Sequence, residues 1–188
     1  MRLIQQCLTN GCALLFCASV LAAQGSSTSK EQIYIIRSVR TSQIAPTEFC
    51  VQSRAGFDAG VENQYVFHAV ETRADDGAVV NAVGKIIASL HACAGRTSDP
   101  NVFNFYGEGE IAGIPFIGKG KCNNVKRDFP EAGMFVVRCF LDLTGLKSPY
   151  VGGLLATNTI GSRNLMGEKS DPPGYAQLSI ATVRLWKR

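Results

Sequence analysis

From Gln32 to Trp186 apolar and polar residues alternate with period two, and turn-forming residues interrupt the alternation roughly every 8 to 15 positions. Period two puts successive side chains on opposite faces of an extended strand, whereas an amphipathic helix needs a repeat near 3.6. No segment carries a convincing helical repeat. Runs that read as strands cover about 32–39, 47–54, 61–72, 78–93, 101–111, 114–121, 133–143, 150–157 and 175–186. Between them lie Ala45-Pro46, 56–60, Ala74 to Gly77, 95–100, 123–133 and 161–174. Asp76-Gly77 is the strongest tight-turn signal among them. Eight or nine short strands without crossover helices predict an all-β fold, an antiparallel barrel, with a β-sandwich as the alternative.

Hydrophobic residues make up 46% of the chain and charged residues 18%, enough to build a core and too apolar for intrinsic disorder. The 19 basic and 15 acidic side chains are interleaved, so the net charge of +4 leaves no nucleic-acid footprint. The N-terminus reads as a secretory signal peptide: Arg2 is a short basic region, and Cys12 to Ala23 is apolar before the polar tail 24–31. Val20 and Ala22 suit cleavage after Ala22, and cleavage after Ala23 is the alternative. As a helix this stretch of 12 residues reaches only about 18 Å, short of the roughly 30 Å hydrocarbon core. The expected mature protein is therefore a single domain, 32–188, secreted or periplasmic, with no membrane span once the signal is removed.

Cleavage removes Cys7, Cys12 and Cys17 and leaves Cys50, Cys93, Cys122 and Cys139, an even number suited to two disulfides in an oxidising compartment. Three connectivities are open, and Cys50–Cys93 with Cys122–Cys139 is preferred because Cys122 and Cys139 flank one loop between two strand-like runs. Each bridge would stabilise by about 2 to 4 kcal/mol. The spacings of 43, 29 and 17 residues contain no CxxC, and His68 and His91 complete no zinc pattern, so no metal or other cofactor is expected.

Polar residues on otherwise apolar strands are the candidate site. Along 101–111, Asn104, Tyr106, Glu108 and Glu110 share a face opposite Phe103, Phe105 and Ile111, and Gly107 and Gly109 suggest a bulge. Two carboxylates at i and i+2 stand about 7 Å apart on a strand, which suits acid/base chemistry in a cavity or an ordinary solvated face outside one. Arg138 and Asp142 interrupt the face of Met134, Val136 and Phe140, so Arg138 could anchor an anionic or carbonyl ligand, or pair with Glu108 or Glu110. His68 lies among Glu62, Gln64, Val66 and Val70, without the G-x-S-x-G elbow of a hydrolase. Asn158 is a rim candidate at the end of 150–157, followed by a long charged loop containing Pro172-Pro173. In 78–93, Val80, Ala82, Gly84, Ile86, Ala88, Leu90 and Ala92 form an apolar face of mostly small side chains, suited to close packing or to a cavity wall. Trp186 shares a face with Leu178, Ile180 and Arg184 and could plug one end of the core.

In architecture this pattern resembles the small antiparallel barrels of lipocalins, allene oxide cyclase and dirigent proteins. The resemblance rests on strand count and apolar lining and implies a small apolar or phenolic molecule handled without a metal. The leading functional expectation is a binding protein for a small apolar or aromatic ligand, with Asn104, Tyr106, Arg138 and Asn158 as ligand contacts. A cofactor-independent isomerase, cyclase or lyase using Glu108, Glu110, Tyr106, His68 and Arg138 is the alternative, and a structural or envelope-interaction module is the third. Non-reducing peptide mapping of exported protein should recover a Cys50–Cys93 and a Cys122–Cys139 peptide; free thiols at all four positions would reject the export argument.

Overall fold

The structure, a computed structural model, describes residues 30–53, 57, 60–128, 133–162 and 177–188. The signal segment 1–23, most of the polar tail and the Pro172-Pro173 loop lie outside the described residues. In chain order the elements are β1 (Glu31–Ile44), α1 (Glu48–Ser53), β2 (Val61–Ala69), β3 (Glu71–Thr72), β4 (Val79–Asn81), β5 (Ile86–Arg96), β6 (Val102–Ile111), β7 (Ile114–Arg127), β8 (Met134–Thr144), β9 (Tyr150–Ser162) and β10 (Gln177–Lys187). Eight of the strands close into an antiparallel barrel of order β1-β10-β9-β8-β7-β6-β5-β2, while β3 and β4 form a separate two-stranded hairpin. Each barrel strand therefore pairs with its neighbours along the chain, and β1 meets β10 to close the ring.

Three strand expectations fail, one of them 61–72, which ends as β2 at Ala69 and gives Glu71–Thr72 to the separate hairpin. The run 47–54 contains a short helix, not a strand: the amides of Cys50 and Val51 both donate to the Thr47 carbonyl, and Thr47 Oγ1 accepts from the Phe49 amide. The run 78–93 is broken in two, because the Asn81 side chain accepts the Val83 amide at 2.9 Å and turns the chain before β5 begins at Ile86. Ala88, Leu90 and Ala92 face the core as expected, but Val80 and Ile86 are exposed. The turn at Asp76-Gly77 closes the β3–β4 hairpin, with the Arg73 amide on the Ala78 carbonyl. The tightest turn of the barrel is Ala112-Gly113 between β6 and β7, where both residues have positive φ (48° and 80°), as a two-residue hairpin demands.

Alternation assigns the faces. Ile36, Phe67, Ala88, Leu90, Phe105, Ile111, Phe116, Leu141, Leu143, Leu155, Val183 and Leu185 point inward and form one core. Exposed Glu108, Glu110, Lys119, Lys121, Arg138 and Asp142 point outward. Trp186 lies on the outer face as well, its indole donating to Glu31, so the core is closed by Leu185 and its neighbours, not by the tryptophan. The cysteine sulfurs pair at bonding distance as Cys50–Cys93 (2.03 Å) and Cys122–Cys139 (2.02 Å). Cys122 and Cys139 are directly opposed on β7 and β8, whereas Cys50 fastens α1 to the outside of β5. Among the described residues no helix is long and apolar enough to cross a membrane.

Gly107 and Gly109 mark no bulge, since β6 pairs with β5 and β7 in unbroken register. A Cβ at Gly109 would stand 2.3 Å from the Ser89 carbonyl oxygen and 2.9 Å from Phe116 Cζ, so the missing side chain lets β5 and a phenyl ring approach. At Gly118 the nearest atoms are 3.5 Å away, an ordinary contact. Gly109→Ala should therefore cost about 1 to 3 kcal/mol of unfolding free energy, whereas Gly118→Ala should be neutral or slightly stabilising. Urea melts of the two variants measure the contrast; equal effects would contradict the packing described.

Candidate functional site

The core fills one end of the barrel and leaves the other hollow. A cavity of about 180 Å³, open on one side, is lined there by inward residues of seven strands. One wall is aromatic: Tyr65 and Phe67 from β2, Phe103 and Phe105 from β6, and Phe135 from β8. The facing wall carries hydroxyls, Ser38 on β1, Thr157 and Thr159 on β9 and Ser179 on β10. Register makes this wall a row, because Ser38 pairs with Ser179 and Ser179 with Thr159, whose Oγ1 donates to Ser179 Oγ at 2.8 Å. Arg40, two residues beyond Ser38 and opposite Tyr65, completes it. Arg40, Tyr65, Phe103 and Phe105 also line a wider space of about 580 Å³ at the same end, with Asn63, Gln43 and the 95–100 connection.

The charged chemistry of this cavity is confined to Arg40 at its rim. The Arg40 guanidinium donates to Gln43 Oε1, and no carboxylate forms an ion pair with it among the described residues. Asn63 is 2% exposed, and its Oδ1 has no hydrogen-bond partner among the described residues. Burial pushes the Tyr65 phenol up, against the opposing pull of the Arg40 charge, so Tyr65 stays neutral at physiological pH. Phe105 and Phe67 stand with their ring centres 6.4 Å from that of Tyr65, in tilted contact.

A second polar cluster lies on the outside, under α1. Glu62, 3% exposed, accepts hydrogen bonds from the Thr47 amide (2.9 Å), Thr47 Oγ1 (2.6 Å) and His91 Nε2. Phe49 stacks on the His91 ring with centroids 3.9 Å apart. Cys50, Phe57, Cys93 and Tyr106 pack beneath into a small apolar cluster. Burial raises the Glu62 carboxyl, but the hydrogen bonds from Thr47 and His91 outweigh it and hold the group below the ordinary glutamate range. It is thus a charged acceptor that fastens the helix to the barrel wall.

The residues singled out from sequence do not line the cavity. Glu108, Glu110, Arg138 and Asn158 are exposed on the outer face, and Asn104 shares that face. Arg138 lies opposite Asn123 and Asn158 on adjacent strands. Tyr106 is buried, but under the α1 strap, where its hydroxyl donates to Glu108. His68 also faces outward, its Nδ1 2.8 Å from the Gly84 carbonyl oxygen. The physical reason is face parity: on β6 the phenylalanines take the interior, which sends Asn104, Tyr106, Glu108 and Glu110 outside. The acid/base groups therefore share no enclosed space. The cavity residues Arg40, Ser38, Tyr65, Phe135, Thr157, Thr159 and Ser179 were missed. A strand read through Arg40 in phase with Ile36 and Ser38 would have revealed the first.

Comparisons with known proteins yield no match to any family model, curated protein or solved structure. Likeness to known barrels is thus one of strand count and closure.

The sign of the Glu62 effect on stability follows from its lowered pKa. The contribution is complete above the unfolded-state value near 4.5 and is lost as pH falls through the lower folded value. Glu62→Gln should cost about 1 to 3 kcal/mol at pH 7 and flatten the fall in stability as pH drops below about 4.5. Chemical melts across that range test it; an unchanged pH dependence would reject the role.

Proposed function

We propose that this protein binds a small apolar or aromatic molecule inside the barrel and does so in an oxidising compartment, secreted or periplasmic, after loss of residues 1–23. The observation that carries the reading is the aromatic cavity of about 180 Å³ in a barrel whose other end is closely packed. Apolar cavities of about 150 Å³ stay dry and accept one benzene-sized guest. Burial of that guest against five aromatic rings supplies favourable free energy of about 25 cal/mol for each Å² removed from water. The hydroxyl row gives orientation, as do the few polar groups of small-molecule sites generally.

The paired cysteines and the signal-like segment support export. The isomerase, cyclase or lyase reading has less support. It needs an acid or base at the guest, and the titratable side chains lining the cavity among the described residues are Arg40 and Tyr65. A module with a completely filled core is likewise less well supported.

Toluene and indole are suitable probes. At about 100 times its Kd, a bound probe stabilises the folded state by about 2.7 kcal/mol, read as a raised thermal midpoint. Thr157→Phe places a ring in the cavity from the hydroxyl wall. It should abolish this shift while leaving the unliganded midpoint unchanged or higher. Absence of any shift in the natural protein, by calorimetry as well as melting, would overturn the reading.

A further inference from the structure

We infer that the cavity takes an amphiphilic carboxylate, a small acid with one aromatic ring or an equivalent short apolar chain, and that Arg40 binds its anionic head. This rests on the cavity being a ligand site and goes beyond it by assigning the head group and its anchor. Three observations carry it.

The first is placement. Arg40 follows Ser38 on the inward face of β1 and lines both the 180 Å³ aromatic cavity and the 580 Å³ space outside it. A guest whose ring fills the inner cavity must present its other end to Arg40. The second is an incomplete hydrogen-bond set. A guanidinium carries five N–H donors in a planar fork matched to a carboxylate, and Gln43 Oε1 takes one of them. Arg40 is half-buried at the mouth, with its Gln43 bond on the exposed side, and the described residues offer it no carboxylate. Asp99 also lines the outer space, but its carboxylate accepts the Asn101 amide and makes no ion pair with Arg40. The third is Asn63, which lines the same outer space and whose buried Oδ1 has no partner among the described residues. It adds to the polar set at this mouth, which suits a polar head group better than a hydrocarbon end. The hydroxyl row beside Arg40 adds neutral polar groups that suit the link between head and ring.

The test compares phenylacetate, 3-phenylpropanoate and 4-phenylbutanoate with their primary amides by isothermal titration of the natural protein and of Arg40→Met and Arg40→Lys. The best acid should bind at least tenfold more tightly than its amide. Arg40→Met should erase that preference by weakening the acid at least tenfold while the amide stays within about twofold, and Arg40→Lys should keep part of it. Equal affinity of acid and amide in the natural protein overturns the assignment, with no variant needed. A preference that survives Arg40→Met overturns Arg40 as the anchor. Binding of toluene or indole without binding of any acid overturns the carboxylate assignment and leaves the cavity reading standing. Failure of every probe removes both.

Discussion

Closure at the seam between β1 and β10 is the constraint on which the other features depend. An open eight-stranded meander would expose two long edges of unpaired amides and carbonyls, and its inward face would be a bent apolar sheet, not a cavity wall. β1 removes both edges by pairing with β2 on one side and, from Glu31 to Ser38, with β10 on the other. The register places Ser38 against Ser179 and thereby sets the hydroxyl row. At the outside of the seam Glu31 receives Arg184 and the Trp186 indole. The Arg184 hydrogen bonds hold the Glu31 carboxyl below its ordinary range. Such exposed pairs add little to stability, so the seam rests on backbone hydrogen bonds and on Ile36, Ala181 and Val183 behind them. These partners are separated by most of the chain, which makes the last pairing an entropically expensive one to form.

The barrel divides its interior between stability and recognition. Leucine, isoleucine and phenylalanine bury one end, and glycines on β6 let neighbouring atoms approach closely. At the other end phenylalanine and tyrosine rings line a space they do not fill. The α1 strap lies on the outer wall, where Cys50–Cys93, Glu62 and the Phe49–His91 stack hold it against β2, β5 and β6. The cluster rich in titratable groups is consequently structural, and the cavity is chemically spare. That division explains why groups suited to acid/base work meet on the outer wall, as Glu62 and His91 do, and not in the cavity.

Most of the fold was legible because period two survives wherever one face is buried, as in 101–111 and 133–143, which became β6 and β8 almost without change. What failed was local. The run 47–54 has strand-like residues, but Thr47 caps a helical turn, and Cys50 is drawn onto the wall by its bridge. β1 was cut short at Val39 because Arg40 to Gln43 is wholly polar, although pairing with β2 carries the strand through to Ile44. The loss of that one turn of alternation hid Arg40. Glu108, Glu110 and Arg138 were noticed because a lone charge on a strand attracts attention, yet alternation gives two faces without saying which looks inward. Only closure decides that.

The ring has a further property. The Lys187 amide donates to the Lys30 carbonyl at 2.8 Å, so the first and last described strands are joined by the same kind of bond that joins every other pair. With each strand paired to its sequence neighbours, no strand is topologically first. A short peptide bridging these two points would make the backbone continuous, and fresh ends could then be opened in the exposed β3–β4 hairpin, remote from the hollow end. Such a circularly permuted chain would keep every barrel pairing and the full cavity lining, while β1 and β10 would become neighbours in sequence and the most distant pairing of the natural order a local one.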